Sequence, residues 1–296
     1  MSAITTATLK VPGASLYYEV AGSGPVLLMI PGAPADAGTF APLAAALADR
    51  YAVVSYDWRG STRSPIDEPP GDLPAGVPMQ LQADDAADLL AAVAEGPAYV
   101  LGCSGGALAG LELVARHPEL VDTLVAHEPP AMNLLPDAAG WRTAFQEVHE
   151  TYRRDGPGPA MMQFITTAVR TGGPTAADGP GAPGQEQAPP MPDMSQMPPE
   201  MAEGMARMQA NSEFFLAYLL PATIGYVPDI AALRAATSGI VLGAGDASAG
   251  QMPHQAALAL AEQLGINPTD FPGDHQGFAT YPGPFAETVH KALRGG

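Results

Sequence analysis

"AYVLGCSGGALAGLELVARHPEL", residues 98–120, decides how the chain reads. An apolar run, Ala98 to Leu101, stops at Gly102, and a Gly/Ala-rich amphipathic stretch starts just past Ser104. A strand that ends in Gly-x-Ser-x-Gly and turns at once into a helix is a nucleophile elbow. The turn is so tight that side chains flanking the serine would collide with neighbouring backbone, which accounts for Gly102 and Gly106. Ser104 is therefore predicted at the positive end of a helix over 105–117, exposed at the carboxyl edge of a sheet. Gly-x-Ser-x-Gly alone occurs by chance in many chains; the strand before it and the helix after it make it specific here.

A serine hydroxyl is a poor nucleophile until a base takes its proton, usually a histidine steadied by a carboxylate. Of the six histidines, His117 ends the helix after the elbow, His127 adjoins a strand end, His149 lies in an inserted segment, and His254 and His290 fall on late helices. Only His275, in "FPGDHQGFAT" (271–280), follows the last short strand in a Gly-rich loop before the final helix. The chain order Ser…acid…His places its base there. Two carboxylates fit as the acid: Asp246 in "IVLGAGDASAG" (240–250) and Glu128 in "LVAHEPP" (124–130). Both end strands at the carboxyl edge, so topology admits either, and Pro129 and Pro130 stiffen the backbone at Glu128. A developing oxyanion needs two N–H donors. Gly105 supplies one, and the loop "IPGAPADAG" (30–38) supplies the other, from Ala33 rather than Gly32.

Working outward, short apolar runs alternate with helical patterns. Strands are expected at 15–22, within 25–34 (where the strand runs into a Pro/Gly loop), and at 51–57, 98–102, 120–128, 238–246 and 269–273, and helices at 42–50, 83–95, 105–117, 253–265 and 284–293. That alternation implies an α/β protein whose mostly parallel central sheet is covered by helices on both faces. Residues 131–232 break the rhythm. Helical patterns at 140–154, 159–169 and 201–220 flank a Pro/Gly/Met-rich stretch, 171–200, too rich in Pro and Gly for regular structure. The expected division is a core of 1–130 and 233–296 with 131–232 inserted as a helical cap. Met191, Met194, Met197, Met201, Met205 and Met208 suit an adaptable apolar pocket, although the helical spacing of the last three equally suits packing on the core.

The order of "IPGAP" (30–34), "YDWRGSTRS" (56–64), the elbow and "GDHQGF" (273–278) resembles the α/β-hydrolase fold family over nearly all the chain except the Pro/Gly/Met-rich stretch. Within it, "GCSGG" (102–106) followed by "AHEPP" (126–130) is similar to a branch that includes the zearalenone lactonases. That resemblance implies Glu128 as the acid, with Asp246 as the alternative. It also implies a serine hydrolase of a carboxylic ester or lactone, working without metal or organic cofactor. Two departures are Pro31-Gly32, where His-Gly is usual, and Thr62, where a glycine is common. An epoxide hydrolase or haloalkane dehalogenase on this fold carries aspartate at the elbow, so Ser104 argues against both. A carbon–carbon bond hydrolase or acyltransferase uses the same triad, and a non-catalytic receptor on this scaffold can retain it.

Composition narrows the partners. Hydrophobic residues make up 47% of 296, ample for a large core. Thirty-one acidic against 13 basic residues give a net charge of −18, which repels nucleic acid and anionic membrane surfaces. A rather apolar, uncharged small molecule is the expected partner, and a homodimer is left open. The one cysteine, Cys103, excludes an internal disulfide and a multi-thiolate metal site, and reads as packing under the elbow. His127-Glu128 is not a zinc-protease motif, because position 131 is alanine. No signal-peptide pattern opens the chain, and "PVLLMI" (25–30) is too short to span a bilayer, so a soluble cytoplasmic protein is expected.

Overall fold

Apolar runs of five to seven residues, bounded by Gly and Pro, build the sheet. β3 (Val26–Ile30), β4 (Ala52–Tyr56), β5 (Ala98–Cys103) and β6 (Val121–His127) are buried at nearly every position, as parallel strands between two helical layers must be. The computed structural model describes residues 4–68, 76–174 and 199–295. With β1 (Ile4–Val11), β2 (Ala14–Gly22), β7 (Gly239–Gly245) and β8 (Thr269–Phe271), eight strands run in the order β1-β2-β4-β3-β5-β6-β7-β8. From β4 to β8 neighbours are parallel; β1, β2 and β4 are paired antiparallel. β1 carries no sequence signal because it is an edge strand with mostly exposed side chains, so no buried alternation marks "ITTATLKV".

Side-chain alternation along each strand divides the core in two. Leu27, Met29, Val53, Leu101 and Val125 face a layer that includes α1 (Ala41–Leu47), α10 (Gly277–Thr280) and α11 (Pro282–Gly295). Leu28, Ile30, Val54, Val100 and Leu124 face α2 (Met79–Val93), α3 (Gly105–Arg116) and α9 (Met252–Leu264). The inserted segment between β6 and β7 contributes α4 (Ala138–Asp155), α5 (Pro157–Ala168), α6 (Pro199–Phe214), α7 (Leu220–Gly225) and α8 (Ile230–Ala235). Most of the Pro/Gly/Met-rich stretch, 175–198, with Met191, Met194 and Met197, lies outside the described residues. A π-helical turn, Phe215–Leu219, links α6 to α7 and buries Phe215, Leu216 and Leu219. Such turns insert one residue and rotate the following face, often beside functional sites.

The insertion joins the second of these cores through Trp141, Phe145 and Val148 of α4. Polar contacts fix its register. Arg207 Nε donates to Asp36 at 2.5 Å, and Asn211 Oδ1 accepts the Thr62 N–H at 2.9 Å. Tyr226 Oη donates to Glu112 at 3.0 Å. Asn133 Nδ2 donates to the carbonyls of Ile224 and Tyr226 at 2.9 and 2.8 Å. Among the described residues no helix is long and apolar enough to cross a membrane.

A buried ion pair ties α2 to the loop after β4. Arg59 Nε donates to Asp85 Oδ2 at 2.6 Å and its Nη2 bonds Oδ1, with both side chains almost wholly buried. Burial pushes the Asp85 carboxyl above its ordinary value even though Arg59 pulls it down, so attraction does not fully offset desolvation. Asp85→Ala, which leaves Arg59 buried without its counter-charge, should cost about 3–5 kcal/mol. The Arg59→Met/Asp85→Leu double variant should recover most of that loss. Urea midpoints of the three proteins check it; a double variant no better than the single would show that the pair is not the source.

Candidate active site

The site forms where β5 and β6 end side by side. Cys103 and His127 are paired in register, and the residues after them, Ser104 and Glu128, have φ values of 54° and 47°. Among the described residues they are the two non-glycine positions with positive φ. Each such conformation costs about 1–3 kcal/mol and persists only where its surroundings enforce it. The Ser104 N–H donates to the His127 carbonyl at 2.9 Å, and the Glu128 N–H to the Gly243 carbonyl at 3.0 Å. The elbow glycines are required as the sequence implied. A Cβ on Gly102 would lie 2.4 Å from the Gly106 carbonyl oxygen, and one on Gly106 would lie 2.1 Å from that of Ile30.

The fully buried Glu128 carboxylate has three donors. Oε2 accepts from His275 Nδ1 at 2.7 Å, while Oε1 accepts from the Gly245 N–H at 2.9 Å and from the Ser248 hydroxyl. Burial alone would push this acid up. The hydrogen bond and charge of His275, with help from His127 and Ser248, outweigh it and bring Glu128 down to about 2. It is therefore ionised at neutral pH. With Nδ1 directed at a carboxylate, the His275 ring carries its proton there and leaves Nε2 as the basic nitrogen. His275 and Ser104 line the same cavity.

Asp246, the other candidate acid, accepts the Gly273 N–H at 2.8 Å. It braces the loop that carries His275 instead of bonding the imidazole. Ala33 and Gly105 meet across the mouth of the elbow. A Cβ on Gly105 would have the Ala33 nitrogen, 4.0 Å away, as its nearest neighbour. Gly105 opens α3, so its N–H has no intrahelical acceptor, and the Ala33 N–H has none among the described residues. Trp58 Nε1 anchors the Ala33 loop by donating to the Pro31 carbonyl at 3.0 Å. Asp57 accepts the Ala37 N–H at 2.9 Å and takes both Nη2 and Nε of Arg63, at 2.7 and 2.8 Å.

The cavity measures about 400 Å³ and is walled by Trp58, Phe145, Phe164, Phe215, Leu219 and their neighbours, with no Lys or Arg among the described lining residues. Met208 also lines it, so for this residue pocket and not core packing is observed; Met205 is half-buried. Among the described residues no group of three or more His, Cys, Asp or Glu could hold a metal ion. Cys103 is buried under the elbow, and burial pushes its thiol well above the ordinary range, so it is an inert packing group there. Sequence reasoning missed Ser248, Asp57 and Arg63 as supports. Ser248 sits in an ordinary turn sequence, and only the approach of β6 to β7 gives its hydroxyl a role.

The structure places His127 beneath the site. It is fully buried, 5.3 Å from the Phe271 ring and 5.1 Å from the Phe285 ring, and stacked 6.4 Å from His275. The Asp274 backbone approaches it, but neither ring nitrogen makes a hydrogen bond of normal geometry. Burial lowers this imidazole from 6.5 to about 4, against the pull of Glu128. A lowered histidine destabilises the fold only where the unfolded chain takes up the proton and the folded one does not. Its contribution to stability is therefore intact above about pH 6.5, declines as pH falls, and levels off below about 4. The full loss is about 3 kcal/mol at ~1.4 kcal/mol per pH unit. The Glu128 contribution fades in a lower window, from 4.5 toward 2. His127→Leu should remove the slope of stability between pH 6.5 and 4.5 while leaving the steeper loss below. Urea midpoints across that range decide it, and identical slopes in both proteins would contradict the assignment.

Comparison with known proteins agrees with this architecture. Residues 25–179 match the family model described as the alpha/beta hydrolase fold. The chain is 33% identical to the uncharacterized hydrolase YraK of Bacillus subtilis over 98% of its own length and 96% of that protein's. Two solved structures share the fold. A thermophilic esterase from Thermogutta terrifontis superposes with a TM-score of 0.70 at 19% identity, covering 98% of each chain. The enol-lactonase from Burkholderia xenovorans LB400 superposes with a TM-score of 0.70 at 18% identity, covering 97% of this chain and 99% of its own. With an elbow serine between β5 and α3, a family model matching just over half of it and a relative aligned along nearly all of it, the chain belongs to the alpha/beta hydrolase fold family.

Proposed function

We propose that the protein is a serine hydrolase that cleaves a carboxylic ester or lactone of a neutral, largely apolar substrate, with Ser104, His275 and Glu128 as its triad. The observation that carries this reading is the 2.7 Å bond between His275 and the buried Glu128 at the edge of a cavity that Ser104 also lines. His275 Nε2 takes the Ser104 proton as Oγ adds to the substrate carbonyl, and Glu128 stabilises the imidazolium that forms. The Ala33 and Gly105 N–H groups receive the oxyanion. Collapse of the tetrahedral species expels the alcohol, which takes the proton from His275, and leaves Ser104 acylated. Water, deprotonated by His275, then adds to the acyl carbonyl, and a second collapse returns the proton to Ser104 and releases the acid. In a lactone the alcohol and acid are two ends of one product.

Several features support a neutral substrate. Aromatic and aliphatic side chains wall the cavity, no Lys or Arg lines it among the described residues, and the chain carries a net −18. A carboxylate substrate would enter without a counter-charge. The inserted helices act as a cap, because Phe145, Phe164 and Phe215 belong to them and roof the cavity. The lactone half of the reading draws on the likeness of "GCSGG" and "AHEPP" to the zearalenone lactonase branch.

Ser104→Ala should lower kcat by roughly a million-fold and abolish labelling by a fluorophosphonate, with little change in the denaturation midpoint. Stoichiometric labelling of that variant would sink the assignment. Glu128→Gln should cost up to about ten-thousand-fold in kcat, the scale seen when the orienting carboxylate of a serine protease triad is lost. Asp246→Asn keeps an oxygen for the Gly273 N–H and should cost far less. The reverse ranking, measured on 4-nitrophenyl acetate, would transfer the role to Asp246.

A further inference from the structure

The buried face of α2 carries two polar side chains, Gln82 and Asp85, among Met79, Ala83, Ala86, Leu89 and Leu90. Asp85 is answered by Arg59. Gln82 is not: it is 2% exposed, and its Oε1 is buried with no hydrogen-bond partner. Gln82 also lines the cavity that contains Ser104, on the wall that includes Trp58 and Met79. The polar groups around it are otherwise engaged. Trp58 Nε1 donates to the Pro31 carbonyl, and the Thr223 hydroxyl donates to the Leu219 carbonyl. Tyr56 Oη shares the lack of a partner but does not line the cavity. Among the described residues Gln82 is the one cavity-lining amide, hydroxyl or carboxyl side chain that is more than nine-tenths buried.

A buried amide without a partner is unfavourable, and an apolar side chain would fill the same volume without that penalty. A cavity-facing amide gains its hydrogen bond from whatever occupies the cavity. We infer that Gln82 is a specificity-determining residue that bonds a neutral hydrogen-bonding substituent, a hydroxyl or amide, on the substrate arm reaching the Trp58–Met79 wall. Resting on the hydrolase reading above, this narrows the substrate class to an otherwise apolar ester or lactone bearing such a group. A charged substituent is disfavoured: an anion finds no cationic side chain on the described wall, and an ammonium would be stripped of water among apolar groups. Sites built to bond a substrate hydroxyl discriminate strongly against the analogue that lacks it, because the protein group is then left unpaired.

The test uses matched esters. Acetates of α,ω-diols of three to eight carbons are compared with acetates of the corresponding n-alkanols, and 4-nitrophenyl ω-hydroxyalkanoates with the plain alkanoates. At the chain length that reaches Gln82, the wild-type protein should prefer the hydroxylated member by about tenfold or more in kcat/KM. In Gln82→Met that preference should fall to about one. A wild type without preference at any length on either arm, or a preference that survives Gln82→Met, overturns the inference. Thermal denaturation supplies a second readout. If the amide bonds nothing in the protein, the Tm of Gln82→Met stays at or above that of wild type, whereas a drop of several degrees would assign Gln82 a structural bond and overturn the inference. Failure of the hydrolase reading looks different: no ester is turned over and wild-type Ser104 takes no fluorophosphonate label, while the Tm comparison still judges whether Gln82 is partnered.

Discussion

The buried carboxylate of Glu128 is the group on which the rest of the site depends. Removing a carboxylate from water costs several kcal/mol, and only close donors offset it. Here they come from three places distant in sequence: the end of β7 at Gly245, the turn after it at Ser248, and the loop after β8 at His275. Satisfying one anion therefore draws the carboxyl ends of β6, β7 and β8 to a common point. The positive φ at Glu128 turns its side chain into that point, and Ser104, also at positive φ, lines the cavity. Two strained residues at the ends of adjacent, register-paired strands thus hold the cavity-lining Ser104 and the carboxylate behind His275 on fixed backbone, the preorganisation that the proposed acyl transfer draws on.

Charge is handled differently around the cavity and on its walls. Three arginines on the elements that form the walls are paired with carboxylates: Arg59 with Asp85, Arg63 with Asp57, and Arg207 with Asp36. These pairs hold the loops after β3 and β4 against α2 and α6 without exposing a cation to the cavity. Arg207 and Asn211 reach from the inserted helices to the loop that holds Ala33, since Asn211 Nδ2 donates to the Pro34 carbonyl at 3.4 Å. The inserted helices and the loop that holds Ala33 are therefore mechanically linked, so movement of α6 would be felt at Ala33. Among the described residues the cavity lining is mostly apolar, with a few polar side chains and no Lys or Arg.

The buried imidazole of His127 shows the cost of this construction. The position after it must be Glu128 with its unusual backbone, and His127 itself faces Phe271 and Phe285 with no partner of normal geometry. Its neighbours are the aromatic core on one side and the His275 ring on the other, so a proton there would place two imidazolium charges close together whenever His275 is charged. Keeping it neutral protects the electrostatics that Glu128 supplies.

By itself the sequence determined the sheet's central strands, the helix after the elbow, the positions of Ser104 and His275, and the loop holding Ala33. Those features are local: apolar runs between glycines, a Gly-x-Ser-x-Gly at a strand–helix junction, and chain order. Local patterns stopped short at β1, whose exposed edge position removes the alternation that marks a strand, and at the short helix α8. Which carboxylate meets His275 was decided only by tertiary structure. Glu128 and Asp246 both follow strands at the same edge, and the parallel pairing of β6 with β7 turns one toward the imidazole and the other toward the Gly273 N–H. Tertiary structure likewise separated Asp85, paired with Arg59, from Gln82, left facing a cavity, although both stand on one helical face three residues apart. Periodicity says that a side chain is buried; only the neighbours brought by the rest of the chain say whether its polar atoms are satisfied.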